Sequence, residues 1–449
     1  MKRLFGTDGV RGVANIDLTP EMAFRIGRIT AAILSRQELP AKIVVGRDTR
    51  LSGEMLENAL IAGILSSGVD VVQVGIMTTP GVSFLTTHLH AVGGIMVSAS
   101  HNPFQDNGIK IFGANGYKLS QVYEAKIEEF LHMADDQLPR PSDDSLGRIL
   151  KNVDAGEAYI DHLRTKLETD LCGLHIVVDC AHGAAFKLAP LLLRDLGADV
   201  TALNVSPNGT NINDRCGSMH PEQLQEEVLR KNADLGIAFD GDADRLVAVD
   251  EKGLLIDGDQ IIYICAKYLK EKNMLKENTV VTTVMSNLGL IEALQKVDIH
   301  CKQTPVGDRY VSEEMMIGGY SLGGEQSGHV IFMDHSTTGD GILTAIQLFG
   351  IVKETGQTLN QLSQEMIKKP QYLLNVPVSS KEGWNKSEEI NAIIEEVKQE
   401  IGNLGRVFVR SSGTEKILRI MLEGDNKEKL VLYANKIADV IRANIGEGV

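Results

Sequence analysis

The chain alternates short runs of β-branched and aliphatic residues with stretches whose apolar positions recur every three or four residues. This alternation is stated three times in one order: strand, helix, strand, then a closing strand with a hairpin return. The first statement predicts a strand at Lys42–Val45, a helix over Met55–Leu65, a strand at Gly68–Val72, the turn Thr78–Pro80 and a closing strand at Gly94–Val97. The second predicts strands at Ile176–Val178 and Gly197–Val200 around a helix at Ala189–Leu196, the turn Ser206–Gly209, and a closing strand at Leu235–Phe239. The third predicts strands at Thr279–Val281 and Val297–Ile299 around a helix near Leu290–Leu294, the turn Thr304–Gly307, and a closing strand at Gly319–Leu322. Each closing strand leads into a polar loop and a returning strand, at Gly108–Phe112, Leu246–Asp250 and Val330–Phe332. Such spacing indicates right-handed βαβ units and mainly parallel sheets.

From about Tyr372 the pattern shifts to a smaller, helix-rich unit, with Lys369-Pro370 marking the break and a strand at Gly405–Val409. The expected fold is therefore three similar α/β domains with mixed, mainly parallel sheets and a smaller C-terminal α+β domain, arranged around a central cleft. The boundaries read as 1–150, 151–256, 257–369 and 370–449. Open α/β sheets hold ligands at loops beyond their strand ends, so the three hairpin loops, together with the loop after Val409, are where chemistry is to be sought.

Composition narrows the classes of function. A chain of 449 residues, 43% hydrophobic and 23% charged, fits a multidomain globular protein. No apolar run approaches the ~18 residues a membrane span needs. The basic start Met1-Lys2-Arg3 leads into Gly6-Thr7-Asp8-Gly9 and not into an apolar signal core, so a cytoplasmic location is expected. The five cysteines, Cys172, Cys180, Cys216, Cys265 and Cys301, show no metal spacing and read as reduced core residues. A formal charge of -15 argues against nucleic acid and anionic membrane as partners. An anionic ligand must then meet local cationic pockets, which makes arginines within loops informative.

The loops carry that chemistry. The first reads Ser98-Ala99-Ser100-His101-Asn102-Pro103, with Ser100 a candidate phosphoryl carrier; the second reads Asp240-Gly241-Asp242-Ala243-Asp244-Arg245. A phosphoserine would be repelled by three neighbouring carboxylates unless a divalent cation sat between them, so the two loops explain each other. Oxygen donors at every second residue suit magnesium or calcium better than zinc. A helix-flanked calcium loop is excluded, because Arg245 stands where its turn glycine is needed and the flanks Ile237–Phe239 and Leu246–Val249 read as strands. Asp257-Gly258-Asp259 reads as an ordinary turn and helix cap. In the third loop, Gly324–His329, Glu325 and Ser327 offer an acceptor and a donor to adjacent sugar hydroxyls. In the fourth, Arg410, Ser411, Ser412, Gly413 and Thr414 form a candidate phosphate nest, to which Arg419 could add a cation. His101, His329 and Lys110 are candidates for proton transfer. Together these point to phosphoryl transfer on a phosphosugar. A metal-dependent phosphatase and a silent phosphosugar sensor are the competing readings.

Over its whole length the chain resembles the α-D-phosphohexomutase superfamily, whose four signature loops it carries in order. The segments Phe5–Gly12 and Gly307-Asp308-Arg309-Tyr310-Val311, with the glutamine in Gly324–His329, favour the branch acting on glucosamine phosphates over the phosphomannomutase/phosphoglucomutase branch, which remains the alternative. The resemblance implies interconversion of glucosamine 6-phosphate and glucosamine 1-phosphate, supplying cell-wall precursors. It implies phosphoserine at Ser100 and one Mg2+ held with Asp240, Asp242 and Asp244. It also implies priming by glucose 1,6-bisphosphate or glucosamine 1,6-bisphosphate, and a homodimer. Arg11, Lys110 and Arg245 would then stabilise charge on the transferring group, Glu325 and Ser327 would hold the sugar, and the loop from Arg410 to Thr414 would grip the distal phosphate. At Ser411 and Lys416 many members of the family carry proline instead.

Overall fold

The computed structural model describes residues 4–6, 9–35, 40–133, 135–152, 154–402, 405–412 and 416–446. Ile43–Val45, Ile176–Val178 and Val280–Val281 are wholly buried. That is how central strands of parallel sheets read, because both of their faces are covered.

The first sheet contains β1 (Val10–Val13), β2 (Lys42–Arg47), β3 (Asp70–Ile76), β4 (Gly93–Val97), β5 (Asp106–Gly113) and β6 (Ile149–Lys151), in spatial order β1-β5-β4-β2-β3-β6. The second contains β7 (His175–Asp179), β8 (Asp199–Leu203), β9 (Leu235–Phe239), β10 (Leu246–Asp250) and β11 (Leu255–Ile256), ordered β11-β10-β9-β7-β8. The third contains β12 (Thr279–Thr283), β13 (His300–Thr304), β14 (Leu322–Gly324) and β15 (Val330–Phe332), ordered β13-β12-β14-β15. Across all three sheets the same spatial order recurs: returning strand, closing strand, first strand, second strand. The first strand runs parallel to both the second and the closing strand, while the returning strand is antiparallel. The repeat read in the sequence is thus a repeat of topology, and each hairpin loop leaves the same end of its sheet.

The structure corrects the sequence reading in detail. Val297–Ile299 is not a strand; the extended segment begins at His300. The closing strand expected from Gly319 begins only at Leu322. Helices Thr79–His88, Glu222–Lys231 and Asp308–Gly318, none of them expected, precede the three closing strands. Cys180, Cys216 and Cys265 are buried, but Cys172 is exposed and Cys301 only partly covered. Asp257 does cap the helix Gly258–Glu271, accepting a hydrogen bond from Gln260 N.

By its contacts the chain divides into two units, one of Met1–Met285 with Val297–Glu365 and one of Ser286–Lys296 with Met366–Val449. The second unit holds the fourth sheet, β16 (Gln371–Pro377), β17 (Arg406–Ser411) and β18 (Ile417–Glu423), antiparallel in the order β16-β18-β17. Its core joins Val376, Leu418, Ile420 and Leu422 to Ile390, Val397, Ile437 and Ile441 of helices Glu388–Ile401 and Lys427–Ile445. Among the described residues, no helix is long and apolar enough to cross a membrane.

Candidate active site

Ser100 sits in the loop between β4 and β5, 1% exposed, with a left-handed φ of 54°. A serine leaves that conformation unless its surroundings hold it there. Its amide donates to Ser98 Oγ at 3.0 Å, and its hydroxyl donates to Asp240 Oδ2 at 2.5 Å. The two loops are packed backbone against backbone. A Cβ on Gly241 would lie 2.6 Å from Ser100 O and 2.8 Å from Ile212 Cδ1, so only glycine allows this approach.

Asp240, Asp242 and Asp244 follow β9 and are all buried, and one oxygen of each lies within 4.8 Å of the others. Burial and the adjacent Asp244 and Asp242 push the Asp240 carboxyl well above the usual carboxylate range. Burial also opposes ionisation of Asp244, but Lys110, His329 and Arg245 hold it well below that range. Lys110 Nζ spans Asp242 Oδ2 at 2.6 Å and Asp244 Oδ2 at 2.9 Å. Thr79, at the start of an unexpected helix, donates to Asp242 Oδ2 at 2.5 Å. Asp242 Oδ1 and Asp244 Oδ1 remain buried without a hydrogen-bond partner. Buried carboxylate oxygens left so are costly, and three such groups cannot all ionise side by side without added positive charge. The all-oxygen donor set therefore fits a hard divalent cation.

Cationic side chains surround this centre. Arg245 donates its amide to Asp240 Oδ1 at 3.2 Å, and its Nε lies 3.8 Å from Asp244 Oδ1. Arg11 is on β1, directly opposite Gly108 of β5. His101 Nδ1 is 3.3 Å from Ser100 Oγ. Burial, then the charges of Arg245 and Arg11, lower the His101 pKa to about 4, which leaves its ring neutral at pH 7.

The third loop is a tight turn between β14 and β15: Gly328 N donates to Glu325 O and Glu325 N to His329 O, each at 3.0 Å. Gly328 has φ +91°, and a Cβ there would meet Leu246 O at 2.0 Å, so this loop is pressed onto the start of β10. Glu325 Oε1 accepts from Gly307 N at 3.2 Å, whereas Ser327 is exposed. His329 is buried, with Nδ1 3.7 Å from Asp244 Oδ1 and Nε2 3.6 Å from Asp308 Oδ2. Burial disfavours its charge, yet Asp244 and Asp308 prevail and its pKa is raised. Nε2 also accepts from Gly339 N at 3.1 Å, a bond that places the proton of the neutral ring on Nδ1. Lys118 pairs with Asp308, and Arg309 with Glu124, beside a cavity of about 240 Å³ that His329 and Tyr117 also line. The hairpin loops of all three α/β sheets thus meet around the aspartates.

In the second unit, Arg410 and Arg419 stand opposite each other on β17 and β18. Burial, then the charge of Arg419, lowers the Arg410 pKa, so the pair presents concentrated positive charge. Ser411 ends β17, and Ser412 is buried with its amide donating to Ile417 O at 2.9 Å and its carbonyl accepting from Lys381 Nζ at 2.8 Å. Gly413 and Thr414 lie outside the described residues.

Sequence reading missed Thr79, Lys118, Asp308, Asp48, Arg50 and Asn213, although each bonds into this centre or its loops. Asp308 stood in a segment singled out only for resemblance, and Thr79 in a segment read as a plain turn. Asp48 and Arg50 form a polar cluster at the end of a buried strand, a signal that could have marked them.

Comparison with known proteins agrees with this arrangement. Models of phosphoglucomutase/phosphomannomutase match in series: alpha/beta/alpha domain I over residues 2–137, domain II over 157–253, domain III over 257–369 and the C-terminal domain over 373–440. The phosphoglucosamine mutase of Halalkalibacterium halodurans is 54% identical over 447 residues, covering 100% of both chains. That of Brevibacillus brevis is 52% identical over 99% of this chain and 100% of the relative. Among solved structures, a phosphoglucomutase/phosphomannomutase family protein from Burkholderia thailandensis shares the fold with a TM-score of 0.81 at 24% identity, over 99% of each chain. The Aspergillus fumigatus N-acetylphosphoglucosamine mutase, solved with GlcNAc-6P and magnesium, does so with a TM-score of 0.67 at 17% identity, over 98% of this chain and 95% of that one. The chain belongs to the phosphoglucomutase/phosphomannomutase family.

Proposed function

We propose that the protein is a phosphoglucosamine mutase, moving phosphate between O6 and O1 of glucosamine through phosphorylated Ser100 and a bisphosphorylated sugar. The observation that carries the reading is the buried Ser100 hydroxyl held 2.5 Å from Asp240, at the edge of a three-carboxylate cluster. The relatives that share 52–54% of their residues over the full length, and bear that name, supply the substrate class.

Asp240, Asp242 and Asp244, with the phosphate on Ser100, would hold one Mg2+, which when bound would neutralise charge on the transferring group. Ser100 carries the phosphoryl group and presents it to the free hydroxyl of the substrate for in-line attack. Arg245, Arg11 and Lys110 would stabilise the charge that builds on its oxygens. The sugar hydroxyls would be held by Glu325, which already accepts a backbone bond from Gly307, and by the exposed Ser327. The bisphosphorylated sugar then turns over, and its other phosphate returns to Ser100. Arg410, Ser411, Ser412, Gly413 and Thr414, with Arg419, would grip whichever phosphate is distal, so one clamp serves both half-reactions. His101, Lys110 and His329 are the groups available to move the hydroxyl proton.

The same reading includes a bisphosphate primer, either glucose 1,6-bisphosphate or glucosamine 1,6-bisphosphate. It also includes a homodimer, a cytoplasmic location, and division into domains at 150/151, 256/257 and 369/370.

The test is phosphorus NMR of protein, magnesium, a trace of glucose 1,6-bisphosphate and glucosamine 6-phosphate. A new anomeric phosphate signal without free phosphate is expected. Release of free phosphate would mean a phosphatase. Turnover of mannose or glucose phosphates alone would move the protein to the other branch of the family.

A further inference from the structure

Beneath the Ser100 loop lies a polar arrangement that the proposed chemistry has not used. Arg50 is 1% exposed, and its guanidinium offers five N–H donors. Five acceptors meet them: Asp48 Oδ2 at 2.8 Å, Pro103 O at 2.5 Å, Asp106 O at 3.1 Å, Ser100 O at 2.8 Å and Asn102 O at 2.8 Å. Four of the five are backbone carbonyls, three in the loop that carries Ser100 and one at Asp106, where β5 begins. Asp48, itself fully buried, also accepts from Ser98 Oγ at 2.6 Å, and Ser98 Oγ in turn accepts the Ser100 amide at 3.0 Å.

A second group reaches the same carbonyls from the segment between β8 and the helix Glu222–Lys231. Asn213 Nδ2 donates to Ser100 O at 2.9 Å and to Asn102 O at 3.0 Å. Asn213 is itself left-handed, with φ 60°, and its amide donates to Ala181 O at 2.9 Å. The residue is thus anchored on the sheet whose β9 leads into the aspartates. The Ser100 carbonyl is held at once from the serine's own sheet and from the aspartates' sheet.

We infer that Arg50 and Asn213 are positioning residues for Ser100. Together they fix its carbonyl and that of Asn102, so that the left-handed serine keeps its hydroxyl aimed at Asp240. The inference rests on the reading of Ser100 as the phosphoryl carrier. A phosphate group arrives at and leaves this serine in every cycle, and each transfer changes the charge facing the aspartates. Without the clamp the loop would relax toward right-handed geometry, and a misplacement of about 1 Å at a reacting atom costs on the order of a hundredfold in rate. Lysine at position 50 could not hold five acceptors in one plane, so Arg50→Lys does not conserve the function.

The deciding variants are Asn213→Gly, which keeps the left-handed backbone and removes only the donor, and Asn213→Asp, which turns the donor into an acceptor facing two carbonyls. Phosphate transfer from glucose 1,6-bisphosphate to Ser100 is followed in a single turnover by intact-protein mass. Hydrogen exchange of the 98–107 segment and thermal melting are measured alongside. Asn213→Gly is expected to slow transfer by roughly tenfold, and Asn213→Asp by more, with KM for the phosphosugar within about twofold and melting near that of the parent. Exchange in 98–107 should rise in both variants. A purely structural role would lower the melting temperature and leave the transfer rate of the folded protein intact, which would overturn the inference. So would Asn213→Gly transferring phosphate at the parent rate. Arg50→Lys should show the same kcat loss, and the Asn213 variants decide the matter even where it folds poorly. If the parent itself accepts no phosphate at Ser100, the mutase reading fails; the exchange data then judge the clamp alone, unchanged exchange in 98–107 refuting it.

Discussion

The Ser100–aspartate centre and the Gly324–His329 loop are built on different terms. At the first, Ser98 and Ser100 are buried, the carbonyls of Ser100 and Asn102 are bonded across loops, and the Ser100 hydroxyl already touches Asp240. At the second, the backbone of Glu325–Gly328 is fixed by its own turn, while the Ser327 side chain stands in solvent. The contrast follows from what each must do. Phosphoryl transfer depends on charges fixed before the reaction, because reorganising them costs rate. Sugar recognition in a mutase must admit a substrate, release it and receive it again turned around. On the proposed roles, rigid chemistry and open recognition lie side by side on hairpins of the same topology.

The largest break in this comparison comes from Ser100→Ala. It should abolish turnover and phosphate labelling while leaving the protein folded, since the bonds lost are those of a single buried hydroxyl. Turnover at the parent rate would show that the buried centre is not where phosphate is carried.

Gly241→Ala tests whether the two loops must touch. The added methyl would press on Ser100 O and on Ile212, so one loop must shift away from the other. A loss of about 1–3 kcal/mol in denaturant unfolding is expected, with kcat down by roughly tenfold or more. A variant as active as its parent would mean that the close approach is incidental.

Ser327→Ala sharpens the other side. An exposed hydroxyl removed from a turn held by its own backbone should leave stability unchanged. KM should rise by about three- to tenfold, with kcat falling less, because one neutral hydrogen bond to a sugar contributes about 0.5–1.5 kcal/mol. A fall in kcat as steep as that of Gly241→Ala would erase the distinction between the two regions.

The same contrast explains what could be read from the sequence. The repeated order of strands was legible because its central strands are continuous apolar runs, buried on both faces. The error at Val297–Ile299 arose at a sheet edge. There β13 reads His-Cys-Lys-Gln-Thr and is mostly exposed, so no burial pattern betrays it. The helix Thr79–His88 escaped notice because its threonines, glycine and valine are poor helix formers; Thr78 as cap and Pro80 in the first turn were its signals. Ser100 and the three aspartates were visible as local motifs. Asn213 was not, because its partners are backbone carbonyls about 110 positions away, and a carbonyl leaves no mark in a sequence; Arg50 had only its place beside Asp48 at the end of a buried strand to mark it, its other partners being carbonyls about 50 positions away.

The smallest effect on turnover concerns the support behind the aspartates. Asp340 is buried, caps the helix Gly341–Thr355 and accepts a bond from Tyr159 Oη at 2.6 Å, while Gly341 N donates to Ala243 O at 3.0 Å in the aspartate loop. Burial raises the Asp340 pKa from the ordinary 3.8 to about 6, against the opposing hydrogen bonds. A raised acid binds its proton more tightly in the folded state, so its contribution to stability is complete below pH 3.8. It is lost as pH rises through about 6, because the unfolded chain ionises first. Over that window the parent should lose up to about 3 kcal/mol from this group. Asp340→Asn, neutral throughout, should lack the slope, so the difference between variant and parent in denaturant unfolding should drift in the variant's favour from pH 4 to 6.5. Turnover at neutral pH should change little. A pH-independent difference would mean that Asp340 is already ionised in the folded protein, and that the support behind the rigid centre is held by charge and not by a buried, shared proton.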